Sequence, residues 1–180
     1  MRKELFKQIE IPQGVEVNIE GNMLSVKGPE GENKRKFDTN KLTFEKKGNQ
    51  IIIGNKKSTK TQKMMMNTIS AHVENMFKGV QKKFVYTLKV CFSHFPISVV
   101  VDGRNIQVKN FLGEKVPRKM KISEKVDIKV DKEIITLTSY DKELVGQAAA
   151  NIEMLTKISK RDRRIFQDGI YITNKGGKEI

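Results

Sequence analysis

The chain has 180 residues and a formal net charge of +14, and 37% of its residues are hydrophobic. That apolar share can build a core and is too high for a disordered polycation. No window holds the roughly 18 uninterrupted apolar residues of a membrane span, and the start, Met1-Arg2-Lys3-Glu4-Leu5-Phe6-Lys7, lacks the apolar stretch of a signal peptide, so the reading is a soluble, cytosolic protein.

The elements, taken along the chain, repeat. Val15, Val17 and Ile19 alternate, and after Gly21 come Leu24, Val26 and Lys27. Ile97, Val99 and Val101 alternate in the same way, and after Gly103 come Ile106, Val108 and Lys109. The shift is constant, since 97 − 15 = 82 and 109 − 27 = 82; it also relates Gly31-Glu32 to Gly113-Glu114 and Lys36 to Arg118. Each repeat therefore opens as a β-hairpin with one buried face, its glycine supplying the positive φ of a tight turn.

A second apolar run follows in each half, Ile51-Ile52-Ile53 and Ile134-Ile135-Thr136-Leu137. Each half then closes with a helix. The first is expected over residues 58–78, with Ser58 as N-cap, Gly79 as stop and an apolar stripe of Met65, Ile69, Val73, Met76 and Val80. The second is expected over 142–158, capped by Asp141, with Val145, Ala148, Ile152 and Leu155 as its stripe. Met64-Met65-Met66 reads as core filling.

The fold class is thus α+β, a tandem duplication of a small domain, each copy an antiparallel β-sheet packed on one main α-helix. The boundary falls near Gln81-Lys82-Lys83, giving an N-terminal repeat over 1–82 and a C-terminal repeat with a basic extension over 83–180. Charge does not separate them. Residues 1–82 carry 16 basic and 9 acidic side chains, residues 83–180 carry 19 and 12, and both net to +7.

A pI near 9.8 on 20.6 kDa points to an anionic partner, with nucleic acid favoured over a merely solubilising charge. Cys91, His72 and His94 make three Cys/His residues in all, short of the four of a closed zinc site, so no metal is expected. Cys91 reads as a small buried hydrophobe, and both histidines read as structural. Gly54-Asn55-Lys56-Lys57-Ser58 lies between strand and helix as a P-loop would, but Asn49 and Asn55 stand where that motif needs Gly and Lys. Gly28-Pro29-Glu30-Gly31 has the GXXG form of KH domains, yet it joins strands and not helices, so it is a turn. No catalytic constellation appears.

Two basic clusters remain. One holds Lys109, Lys115, Arg118, Lys119 and Lys121 around Asn110 and Phe111, against Glu114. The other holds Lys157, Lys160, Arg161, Arg163 and Arg164 against Asp162, followed by Phe166, Gln167, Tyr171 and Lys175. Cations suit phosphates, rings can stack, and amides can meet 2′-hydroxyls. The second cluster follows the last helix, where few residues remain to form core. Its arginines are expected on phosphates, the Tyr171 hydroxyl directed at RNA, and Phe166 packed under the last helix.

Several segments resemble the large-subunit ribosomal protein six family in its archaeal and eukaryotic branch. They are Ile11-Pro12 with Val15-Glu16-Val17, Val26-Lys27-Gly28-Pro29-Glu30-Gly31, and Asn75-Met76-Phe77-Lys78-Gly79-Val80. They continue with Ser93-His94-Phe95-Pro96-Ile97, Asn110-Phe111-Leu112-Gly113-Glu114-Lys115, and 163–171, Arg163-Arg164-Ile165-Phe166-Gln167-Asp168-Gly169-Ile170-Tyr171. Gly54-Asn55-Lys56-Lys57 is similar to eukaryotic members and 145–151 to archaeal ones, with the balance toward a eukaryotic source. The resemblance implies two copies of an α+β domain and no catalysis, cofactor or small-molecule substrate. It implies binding of large-subunit rRNA near the sarcin–ricin loop and stalk base, mostly through the C-terminal half. Neighbouring large-subunit proteins and docking translational GTPases would be the other partners. The alternative is a free regulatory RNA-binding protein outside the ribosome.

Overall fold

Alternating apolar residues fix the strands in the first half. In the computed structural model, which describes residues 3–39, 42–162 and 164–180, they form β1 (Lys3–Glu10), β2 (Glu16–Glu20), β3 (Met23–Gly28), β4 (Gly31–Lys36), β5 (Thr43–Lys47) and β6 (Gln50–Ser58). The strands make two antiparallel three-stranded sheets, β2-β3-β4 and β1-β6-β5, where one sheet per copy was expected. Leu24 and Val26 from one sheet and Ile51 and Ile53 from the other are fully buried against the single helix α1 (Lys60–Gln81).

The ends of α1 differ from expectation at both termini. Its N-cap is Thr59, in a reciprocal box: the Gln62 amide N–H donates to Thr59 Oγ1 at 3.4 Å, and the Thr59 N–H donates to Gln62 Oε1 at 2.8 Å. Ser58 is instead the buried last residue of β6, its hydroxyl donating to the Asn55 carbonyl. Gly79 does not stop the helix. It is buried and lacks the positive φ that a terminating glycine adopts, and the chain stays helical to Gln81. Met66, and not Met65, heads the buried stripe. Two successive steps of four residues drift about 80° around a helix, whereas Met66, Ile69, Val73, Met76 and Val80 alternate threes and fours and stay on one face.

The second half forms β7 (Phe84–Cys91), β8 (Ser98–Asp102), β9 (Asn105–Lys109), β10 (Arg118–Lys121), β11 (Asp127–Asp131) and β12 (Ile134–Ser139). Helix α2 (Lys142–Leu155) follows, then β13 (Gly169–Lys175) and β14 (Lys178–Glu179). The pairing repeats that of the first half: β8-β9-β10 matches β2-β3-β4, and β7-β12-β11 matches β1-β6-β5. Strands β13 and β14 extend the second sheet beyond β7. The post-helical segment therefore does contribute core, because Ile170 is fully buried beside β7 and Ile158 is nearly so. Asp141 caps α2 as expected, but the helix ends at Leu155, not Ile158. There the Thr156 and Lys157 N–H groups reach back only three residues, and the Thr156 hydroxyl accepts from the Ile170 N–H at 2.9 Å.

The duplication holds, but its offset changes inside the first sheet. Val26 pairs with Asn33 and Val108 pairs with Arg118, so the offset is 108 − 26 = 82 before the turn and 118 − 33 = 85 after it. The extra residues form a 3-10 turn, Phe111–Gly113, entered and threaded by left-handed Asn110 and Leu112. Lys36 thus corresponds to Lys121 and not to Arg118. The two compact units are residues 1–83 and 84–180, and their cores share no residue.

Candidate nucleic-acid interface

The C-terminal cluster is organised around buried Asp168, which is 1% exposed. Its carboxylate accepts from the Ser93 N–H, from Ser93 Oγ at 3.0 Å and from His94 Nδ1 at 2.9 Å. Burial pushes this carboxyl up, but the hydrogen bonds from Ser93 and His94 outweigh it and hold the group below the ordinary carboxylate range. The loop before β8 is thereby locked to the start of β13. His94 stacks on Phe166 with centroids 4.7 Å apart, and the Arg161 guanidinium lies over the other partner of that pile, 4.7 Å from the Phe166 centroid. Phe166 is thus half-buried, in contact with His94 and Arg161, and packs on the core of the second unit, to which α2 contributes Val145, Ala148, Ala149 and Ile152.

The other residues of this cluster fall into clear groups. Lys157, Lys160 and Arg161 are exposed, with Lys160 in the left-handed region at φ 59°. Arg164 is exposed and grips Asp162 through Nε and Nη2, with the Nη2 contact at 2.8 Å. Arg163 lies outside the described residues. Gln167 donates to the Arg164 carbonyl at 3.3 Å, and the Tyr171 hydroxyl donates to the Gln167 carbonyl at 3.2 Å, so within the protein that hydroxyl braces the loop. Gly169 is buried under Tyr171: a Cβ there would stand 3.3 Å from Tyr171 Cζ. Lys175 is exposed and pairs with Lys178 in the terminal hairpin, so residues 173–180 fold back on themselves.

The first cluster divides differently. Lys109, Lys115 and Lys119 are exposed. Arg118 is engaged within the protein: Nε and Nη2 donate to Glu114 at 2.8 and 2.6 Å, Nη1 donates to the Leu155 carbonyl at 2.7 Å, and the guanidinium lies 4.3 Å over Phe111. The Arg118 hydrogen bonds hold the Glu114 carboxyl below its usual range. Phe111 is 1% exposed and cannot stack on a base. The Asn110 amide donates to the Pro96 carbonyl at 3.0 Å. Sequence reasoning missed the Ser93–His94–Asp168 network, whose members lie 74 and 75 residues apart and share no spacing signal.

The class that fold and charge define is a duplicated α+β scaffold that displays lysine and arginine on loops braced from within. Comparison with known proteins narrows the class. The family model described as Ribosomal protein L6 matches residues 11–83 and again 95–169. The large ribosomal subunit protein uL6 of Sulfurisphaera tokodaii is 44% identical over 95% of this chain and 92% of its own length. Those of Staphylothermus marinus and Methanobrevibacter smithii are also 44% identical, over 97% and 94% of this chain and 97% and 95% of their own lengths. The chain belongs to the ribosomal protein L6 family. All three of these relatives are archaeal, so the balance toward a eukaryotic source finds no support among them.

Proposed function

We propose that the chain is built into the large ribosomal subunit and binds large-subunit rRNA through its second unit, near the sarcin–ricin loop and the stalk base where translational GTPases dock. The ribosomal setting rests on family membership, since the relatives are named as large-subunit proteins. The rRNA neighbourhood rests on the segments that resemble the family's signatures, Ser93–Ile97, Asn110–Lys115 and 163–171. Neighbouring large-subunit proteins are the other partners.

The single observation that carries the RNA contact is the exposed run Lys157, Lys160, Arg161 and Arg164, in which Arg161 rests on Phe166, itself stacked on His94 beside Asp168. The Arg161 guanidinium rests 4.7 Å from the Phe166 centroid and is exposed, so its N–H fork is available to grip a phosphate bidentately. Phosphate contact releases counterions, so affinity should fall steeply with salt.

The test is incorporation. Arg161→Ala with Arg164→Ala should leave the protein folded, because both side chains are exposed and the pair of Arg164 with Asp162 lies in solvent, where ion pairs add little. Quantitative mass spectrometry of purified large subunits should then find the variant under-represented. Lys47→Ala is the fitting control, since Lys46 donates to the Val17 carbonyl at 3.0 Å and is structurally engaged. Equal incorporation of the arginine variant and wild type would overturn this placement.

A further inference from the structure

The two units carry the same three-stranded sheet, so each serves as a comparison for the other. In unit 1 the solvent face of β2-β3-β4 presents Lys27, Lys34 and Lys36 together with Glu16, Glu20 and Glu32. Glu32 accepts from the Lys34 ammonium at 2.9 Å and from Ser25 Oγ at 3.0 Å. Those two bonds, Lys34 first, lower its pKa. Glu20 accepts from the Asn18 amide at 2.9 Å. With three lysines and three glutamates this face is neutral, and Lys34 is paired within it.

The matching face of unit 2 has a different composition. Register places Val100, Gln107 and Lys119 in one row and Asp102, Asn105 and Lys121 in the next, with Ser98 beside Lys109 at the end. Through the offset of 82, Ser98 stands where Glu16 does (16 + 82 = 98), and through the offset of 85, Pro117 stands where Glu32 does (32 + 85 = 117). Only Asp102 keeps an acid, in the place of Glu20. Among the described residues, none of Lys109, Lys119 and Lys121 makes an ion pair.

We propose that this face of unit 2 docks on double-helical RNA and that its counterpart in unit 1 does not. Lys109, Lys119 and Lys121 meet phosphates, while Asn105 and Gln107 face 2′-hydroxyls. The proposal rests on the reading above that the chain binds rRNA, and it adds a second surface and the form of RNA bound. The charge asymmetry argues for a polyanion. The form follows from what the face lacks: it carries no aromatic ring, and sheets that read unpaired bases do so by stacking them on rings. A face with amides beside lysines and no ring fits the shallow groove of an A-form helix, whose floor displays 2′-hydroxyls.

The test uses the full chain and three variants: Lys109, Lys119 and Lys121 all to Ala; Lys27, Lys34 and Lys36 all to Ala; and Asn105→Ala with Gln107→Ala. The probes are a fully paired RNA of about 20 base pairs, the same duplex in DNA, and an unstructured single-stranded RNA, titrated across salt. The first variant should weaken duplex RNA binding about tenfold and reduce the salt slope by about three, one per lost phosphate contact. The second should stay near wild type. The third should lose preference for RNA over DNA while keeping its salt slope. Equal losses in the first two variants would reduce the effect to net charge and overturn the proposal. Unchanged binding in the first variant would also overturn it; the broader reading survives that outcome if Arg161→Ala with Arg164→Ala weakens binding, and fails with it if that variant binds normally. Tighter binding of the single strand than of the duplex, or crosslinks in the assembled subunit from Lys119 or Lys121 to a neighbouring protein in place of nucleotides, would equally sink it.

Discussion

Asp168 shows how one buried carboxylate can set the geometry of an exposed site. Its folded-state pKa is depressed, so the ionised form is favoured by folding. The stability it contributes is therefore full above the ordinary carboxylate value of about 3.9 and is lost as pH falls through the lower folded value. Asp168→Asn should cost about 2 kcal/mol near neutral pH, the scale of a charge-assisted hydrogen bond. Thermal melts at a series of pH values should show the gap to wild type narrowing below about pH 4; a gap independent of pH would refute the role given to the charge. Gly28 makes a second case at this scale. A Cβ there would fall 2.8 Å from Val80 Cγ2 and 2.9 Å from the Val80 carbonyl oxygen, and the backbone cannot rotate away as a side chain can. Gly28→Ala should destabilise unit 1 by about 1–3 kcal/mol, the cost of overpacking, measured by chemical denaturation.

At the level of elements, helix α1 begins where its capping chemistry is complete. Ser58 is the better cap type by residue preference, but only Thr59 stands three residues before Gln62 and can form the reciprocal box. Thr59→Ala should cost about 1 kcal/mol, whereas Ser58→Ala removes one bond to the Asn55 carbonyl and leaves the helix start unchanged. Amide exchange in the first turn of α1 would tell the two apart. Element identity was legible in the sequence because apolar periods of two and of about 3.6 are local. The end of α1 was not, because Val80 is held from outside the helix: its carbonyl accepts from the Glu30 N–H at 3.0 Å. The Phe111–Gly113 turn was hidden for a related reason. The continuing match of Gly31-Glu32 to Gly113-Glu114 at one offset disguised a change of pairing that appears only once β10 is laid against β9.

The molecule as a whole consists of two units with separate cores, each built from two sheets and one helix. Since neither core borrows a residue from the other, residues 1–83 expressed alone should unfold cooperatively; a broad, non-cooperative melt would show that unit 1 depends on unit 2. The sequence by itself determined the α+β class, the duplication, the buried faces and the family, because all four are written in local periodicity and in residue order. It also located the basic runs. Which of those cations face outward was decided only by the tertiary structure. Arg118 sits in a basic run, yet the fold brings Glu114, Phe111 and the end of α2 around it, while Lys119 next to it points to solvent. Neighbours along a strand face opposite ways, and the pair Arg118 makes with nearby Glu114 is completed by the Leu155 carbonyl, 37 residues away, which only the fold brings there.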